Sequence, residues 1–277
     1  MELGQIGIWR RHQEGVDPAA EIEALGFGAL WLGGSPSLAQ ARPFLERTTT
    51  ITVATGILNV WRHEPADVAA QHAELRNEFG ERFLLGVGIG HPESTSAYTK
   101  PLTKMREFLD GLDAGEPPVP RDERVVAALG PKMLKLAAER SLGPHPYFTT
   151  VEHTRFAREV AGPDALVAPE VAVVVEPDLQ AGRAAARAYA ASYLRLSNYV
   201  SNLLRFGFTE ADIADGGSDR LIDSVIPHGS AEQVAEAVGA HLDAGADHVC
   251  LQPVGHGPNP LDDYRALAAT LSARLTS

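Results

Sequence analysis

The chain has 277 residues, with 24 Lys and Arg set against 36 Asp and Glu, for a formal net charge of -12. Hydrophobic residues make up 44% and charged residues 22%, the profile of a protein that buries a core, and an acid excess without any basic stripe argues against a nucleic-acid binder. A single cysteine, Cys250, leaves no internal disulfide, no uncharged apolar stretch reaches the ~18 residues of a membrane span, and the opening MELGQIGIWRRH lacks the pattern of a secretory leader, so the expected location is cytoplasmic.

Eight short apolar runs recur along the chain with helical segments between them: LGQIGIW, GALWLGG, ITVATGI, RFLLGVGIG, RVVAALG, HPYFTT, EVAVVVE and HVCLQPV. Strands that alternate with helices pair in parallel through helical crossovers. Asp17 followed by Pro18 reads as a helix start, Ile22 and Leu25 as its buried face, and Gly26 as its end. Pro65, Pro101 and Pro131 stand where later helices begin, and Ser230 with Gln233 forms a capping box ahead of a helix that Gly245 closes.

Eight such units fit one (β/α)8 barrel, an α/β fold of typically ~250 residues, and the whole chain, 1–277, reads as a single domain. Two connections exceed a simple unit, at about 91–123 and 177–247. The first carries KPLTKMREFLDGLD, an amphipathic helix with Leu102, Met105, Leu109 and Leu112 turned inward; the second carries NYVSNLLRFGF, whose aromatics, read as exposed, point to a homodimer. Excess length of this kind sits over the mouth of a barrel or at a subunit contact.

The rival architecture is a doubly wound sheet, but its dinucleotide signature fails: in Gly86-Val87-Gly88-Ile89-Gly90 the third glycine position is His91. G-x-S-x-G, H-E-x-x-H and C-x-x-C are absent, as is a phosphate-binding P-loop, so hydrolase, zinc and ATPase readings have no support and no metal site is expected.

Barrel function collects at the C-terminal strand ends. Here those ends read Trp9, Gly33-Gly34-Ser35, Thr55-Gly56-Ile57-Leu58-Asn59, Gly88-Ile89-Gly90-His91, Gly130-Pro131-Lys132-Met133, Thr149-Thr150 and Gln252-Pro253, with glycine where acids are normal. Gly86, Gly88 and Gly90 alternate with period two, so one strand face carries no side chain; a flat ligand could lie there, or a barrel layer could pack tightly. Gly130 at a helix start suits a phosphate, and glycine there is also routine in βα loops.

The run ITVATGILNVWRHEPADVAAQHAELRNEFGERFLLGVGIGHPE, followed in order by KPLTKMREFLDGLD, RVVAALGPKMLKLAAE and HLDAGADHVCLQPV, resembles the luciferase-like superfamily, and most closely its branch of oxidoreductases that use the deazaflavin coenzyme F420. The resemblance implies a bulge with a cis peptide at Gly56-Ile57, propping a tricyclic ring from behind, and hydride transfer between the coenzyme and a small-molecule substrate. It implies a cofactor site built from Trp9, Gly33, Thr55, Gly56, Ile57, Asn59, Gly88, Ile89, Gly90, Gly130, Lys132 and Met133, with Trp61 as a further wall. Lys132, and Lys100, Lys104 and Arg106 on the long loop, would offset the chain's negative field for an anionic coenzyme tail. For the proton that balances the hydride, His91 is the first candidate and His153 the second; His72 and His241 read as packing residues. The chain departs from the sugar-phosphate dehydrogenases of the superfamily, which carry a histidine after the second strand where this one reads WLGGSPS. Two alternatives share the barrel: an FMN-dependent monooxygenase and a flavin-binding protein without turnover.

Overall fold

Residues 2–94, 98–255 and 260–275 are described by the computed structural model. Among them lie nine strands, every one paired in parallel: β1 Ile6–Arg11, β2 Ala29–Gly33, β3 Thr52–Thr55, β4 Leu58–Asn59, β5 Phe83–Gly88, β6 Arg124–Val126, β7 Glu170–Val175, β8 His228–Gly229 and β9 Val249–Pro253. The helices are α1 Ala19–Ala24, α2 Leu38–Arg47, α3 Pro65–Phe79, α4 Pro101–Asp113, α5 Pro131–Arg140, α6 Val151–Ala161, α7 Leu179–Tyr193, α8 Ser197–Arg205, α9 Glu210–Ile213, α10 Asp219–Val225, α11 Ala231–Asp243 and α12 Leu261–Leu275.

The strands run β6-β5-β3-β2-β1-β9-β7, and an extended segment, 142–146, bridges the two ends. Leu142 N–H donates to Arg124 O at 2.8 Å and His145 N–H to Val126 O at 2.9 Å on one side; Ala168 N–H donates to Pro144 O at 3.1 Å and Glu170 N–H to Pro146 O at 2.8 Å on the other. These bonds close a (β/α)8 barrel of eight staves. The sixth stave is therefore not HPYFTT itself but a stretch that begins three residues earlier. Pro144 and Pro146 have no N–H to give, so it pairs largely through its carbonyls and forms no regular strand.

Local chemistry sets the helix ends. Pro65, Pro101 and Pro131 each open a helix, and in the α11 box Ser230 N–H donates to Gln233 Oε1 at 2.9 Å while Gln233 N–H donates back to Ser230 Oγ at 3.4 Å. At α1 the expectation shifts by one place: Pro18, not Asp17, is the cap residue. Helix α4 buries Met105, Phe108, Leu109 and Leu112 against the barrel, with Leu102 half-buried beside them.

Inside the barrel, Trp9, Ala29, Trp31, Ala54, Leu84, Val125, Ala168 and Cys250 pack together, small residues making room for two indoles. Trp31 is wholly buried, and removing ~200 Å² of its ring from water contributes about 5 kcal/mol at about 25 cal/mol per Å². Its N–H is satisfied by His248 Nε2 at 3.0 Å, and His248 Nδ1 donates in turn to Gly4 O at 2.7 Å.

The longer connections carry α4 in one case, and α7 to α11 with the short strand β8 in the other. Their aromatics do not lie on the surface as read from the sequence. Tyr199 is 6% exposed, Phe208 is 8% exposed, and Phe206 packs edge-on against His153 and Phe156. Among the described residues Leu179 is the one large exposed hydrophobic, and no helix is long and apolar enough to cross a membrane.

Candidate functional site

A cavity of about 500 Å³ opens where the C-terminal ends of the staves meet α7 and α8. That volume falls within the range of small-molecule sites. Trp9, Gly56, Ile57, Asn59, Ile89, Gly90, His91, Gly130 and Met133 line it, bringing together nine of the residues singled out in the sequence.

One wall is the step between β3 and β4. The Gly56-Ile57 peptide is cis, the Trp9 indole N–H donates to Gly56 O at 3.2 Å, and a Cβ on Gly56 would stand 2.7 Å from the same indole nitrogen. Asn59 Oδ1 accepts from Trp61 N–H at 3.0 Å, and its carboxamide lies over Gly90, whose φ of +59 is the left-handed region that favours glycine.

Besides Trp61 and the cations of the long loop, five expected residues lie elsewhere, each for a physical reason. Gly33 is bare because the Trp9 ring fills its side-chain space, with Cζ2 1.9 Å from a notional Cβ. Thr55 is wholly buried and clasps two strands, its Oγ1 donating to Gly86 O and accepting from Gly86 N–H, both at 2.8 Å. A Cβ on Gly88 would stand 2.6 Å from the Ile57 side chain and one on Gly86 only 1.9 Å from Thr55 O, so the stripped face of β5 packs against the end of β3 and the step instead of receiving a ligand. Lys132 is exposed on α5, outside the lining. Trp61, a proposed wall, likewise lies outside it and donates to Ile89 O at 2.8 Å.

The fifth is His153. It is buried, its Nε2 donates to Leu129 O at 2.9 Å, and its Nδ1 has no partner. Burial lowers its pKa to about 4, the Leu129 carbonyl opposing and Arg205 adding to the shift. It cannot reach the cavity. His91 does reach it: Nδ1 donates to Asn198 Oδ1 at 2.9 Å, which leaves Nε2 as the nitrogen open to a ligand.

Several lining residues escaped the sequence reading. Asn198, Asn202 and Arg205 recur at helical spacing on α8, a polar stripe that the sequence does contain. Tyr147, Tyr193 and Tyr199 form an aromatic side, and His145 sits behind Gly56, stacked on Trp31 with ring centroids 4.4 Å apart. His145 Nδ1 donates to Ala168 O at 2.7 Å, its buried Nε2 is unpartnered, and burial lowers its pKa to about 4.

The charge of the lining is lopsided. Arg11, Arg62 and Arg205 contribute three guanidinium groups, and among the described residues no Asp or Glu lines the cavity and none of the three arginines is within ion-pair distance of a carboxylate. Arg205 nitrogens lie 3.9 and 4.0 Å from the side-chain position of Gly130, at the start of α5. In a chain of -12 such a patch is a local inversion of field, suited to an anionic ligand. Among the described residues no group of three or more His, Cys, Asp or Glu could hold a metal ion.

A parallel barrel with an apolar-walled, cationic cavity at its C-terminal rim defines a small-molecule enzyme site. The chain belongs to the luciferase-like monooxygenase family, whose sequence model matches residues 4–248, and this places it among luciferase-like oxidoreductases. It is 28% identical over 133 residues to 4-hydroxyprotoasukamycin monooxygenase of Streptomyces nodosus subsp. asukaensis, covering 42% of this chain but only 35% of that protein. It is 25% identical to 5,10-methylenetetrahydromethanopterin reductase of Archaeoglobus fulgidus, over 76% of this chain and 79% of that one. Among solved structures, an F420-dependent secondary alcohol dehydrogenase in complex with an F420-acetone adduct superposes with TM-score 0.75 at 18% identity, covering 98% of both chains. The oxygenating constituent of 3,6-diketocamphane monooxygenase from Pseudomonas putida, in complex with FMN, gives 0.69 at 17%, again over 98% of both. At these identities the structural likeness speaks for the fold alone.

Proposed function

We propose that this chain is an oxidoreductase that holds coenzyme F420 in the rim cavity and transfers a hydride between it and a small organic substrate. The observation that carries the reading is a cavity whose described lining holds no Asp or Glu and three arginines without a carboxylate partner, around a wall formed by Trp9, Gly56 and Ile57. The residues present fit the coenzyme. A flat ring would lie against the Gly56-Ile57 step, and a tail bearing phosphate and glutamate carboxylates would meet Arg11, Arg62 and Arg205 at the mouth. Three cations without a carboxylate partner, one of them hydrogen-bonded to Asn202 Oδ1 at 3.3 Å, exceed what one phosphate needs, which favours the polyanionic deazaflavin over FMN.

When bound, the coenzyme supplies or takes up a hydride at one ring carbon. The protein's part is to fix the ring, exclude water and hold a proton for the substrate. Two kinds of group in the lining carry a transferable proton: His91, pinned through Asn198, and the tyrosines of α7, α8 and the segment just after the sixth stave.

An FMN-dependent monooxygenase is the second reading, favoured by the sequence match to a monooxygenase. Fluorescence titration of the purified protein with F420 and with FMN, at low and high salt, tests both. Tight binding of F420 that weakens with salt, followed by hydride exchange, is the expected result. Selective binding of FMN would move the chain to the monooxygenase reading, binding without exchange to a flavin-binding protein, and no binding of either would end all three.

A further inference from the structure

Three phenols meet beside the cavity. Tyr147 follows the sixth stave, Tyr189 and Tyr193 stand one turn apart on α7, and Gln252 comes from β9. Tyr147 Oη lies 2.8 Å from Tyr189 Oη, 2.9 Å from Tyr193 Oη and 2.8 Å from Gln252 Oε1. Tyr189 Oη lies 3.1 Å from Tyr193 Oη and 2.9 Å from Gln252 Oε1.

Counting protons separates the three. Gln252 Oε1 has two lone pairs and accepts from Tyr147 and Tyr189. The Tyr193 proton is then the one without a committed acceptor outside the cluster. Tyr193 also lines the cavity, with Tyr147 and Tyr199, whereas Tyr189 does not. Its ring is held by Phe148, stacked at 5.0 Å with planes 18° apart. Tyr147 in turn packs 5.3 Å from Trp9, which bonds to Gly56, so the cluster adjoins the wall where the coenzyme ring is proposed to lie.

We propose that Tyr193 is the proton-transfer residue of this site and that it acts on a substrate oxygen, in the place a histidine would otherwise take. This rests on the hydride-transfer function. In the reducing direction a carbonyl carbon gains a hydride from reduced F420, the C=O π pair moves to oxygen, and that oxygen takes the Tyr193 proton. The phenolate left on Tyr193 is met by the O–H groups of Tyr147 and Tyr189, which swing from Gln252 to form two charge-assisted hydrogen bonds, and water at the mouth restores the proton. Burial raises the pKa of Tyr147 and Tyr189 well above the usual phenol value, which keeps both protonated for this role. The acidic groups whose charge would reach the cluster include Tyr199 of α8 and Glu170 of β7; burial raises the pKa of both, so neither adds negative charge at neutral pH.

The test has two arms. In the first, para-nitrophenol is titrated into the protein without coenzyme, and bound phenolate is followed by its visible absorption. Tyr193→Phe is expected to weaken phenolate binding about tenfold, and Tyr189→Phe, which lies outside the cavity, about threefold. In the second, Tyr193→Phe is expected to slow reduction of acetophenone by bound reduced F420 on the order of a hundredfold or more, with F420 affinity unchanged. Phenolate affinity unchanged in both variants overturns the proposal, as does acetophenone reduction that survives Tyr193→Phe but is lost in His91→Ala. If thermal melting shows that Tyr193→Phe does not fold, Tyr189→Phe and Tyr147→Phe decide by the same phenolate measurement. Failure of the unaltered protein to bind F420 or FMN strikes the functional reading instead and leaves the phenolate arm to judge Tyr193.

Discussion

Trp9 and Gly56 are joined by a hydrogen bond of 3.2 Å from indole N–H to carbonyl, while the far edge of the same indole occupies the side-chain space of Gly33. Trp9 is thus a strut on β1 that bears on the ends of β2 and β3 at once, and its position fixes the step against which a flat ligand would rest.

Gly33→Ala should dislodge that strut. The added Cβ would stand 1.9 Å from Trp9 Cζ2, a clash no rotamer of alanine relieves. Overpacking of this kind costs about 1–3 kcal/mol, read by denaturant unfolding, and coenzyme affinity should fall with it. Trp9→Phe, which keeps a ring but loses the N–H, should cost about 1 kcal/mol in stability and weaken coenzyme binding in the same titration.

Gly33 also shows how far the sequence is legible. The apolar runs, the prolines at helix starts and the Ser230 box locate all the staves but the sixth to within a few residues, because those signals are local. The sixth stave hides behind Pro144 and Pro146, whose lost N–H groups show only in the closed barrel. In the site, the sequence displays which positions are bare but not what fills them: Gly33 and Gly88 are bare for Trp9 and Ile57, whereas Gly56 and Gly130 line the cavity. The cations were sought on Lys132 and the long loop, yet Arg11, Arg62 and Arg205 come from β1, the segment after β4 and α8, and only folding collects them.

That relocation of charge is testable. Arg205→Gln should weaken F420 binding about tenfold to a hundredfold and flatten its salt dependence, since a charge-assisted contact to an anion is lost. Lys132→Glu, on the exposed face of α5, should leave the affinity within about twofold. A larger effect of Lys132 than of Arg205 in the same fluorescence titration would refute the assignment.

Five buried histidines set the acid limit of the fold. Burial lowers His72, His145, His153, His241 and His248 from the ordinary 6.5 to about 4 each. Between those values the unfolded chain binds protons that the folded chain refuses, so their contribution is fully present above pH 6.5 and is lost as pH falls toward 4. Each adds a slope of up to about 1.4 kcal/mol per pH unit within that window. Unfolding free energies measured from pH 7 to 4.5 should drop steeply. His241→Gln, which keeps an acceptor for the Thr154 hydroxyl now at 2.8 Å, should remove one proton's share of the slope.

Glu170 acts in the opposite sense. Burial raises its carboxyl from 4.5 to about 8, against the pull of the Phe148 N–H on Oε2, and its Oε1 has no partner. The folded chain therefore holds a proton that the unfolded chain has released from pH 4.5 upward, so this contribution to stability is lost as pH rises to 8. Set against the histidines, whose gain ends at 6.5, it places the stability maximum near that pH. Ionisation near pH 8 would also put a negative charge beside Tyr147, Tyr189 and Tyr199, and that charge disfavours an anion at each of these phenols. Bound para-nitrophenolate should then be released as pH passes about 8. In Glu170→Gln the alkaline fall in stability and this release should both disappear; a release that persists in the variant would assign it to another group.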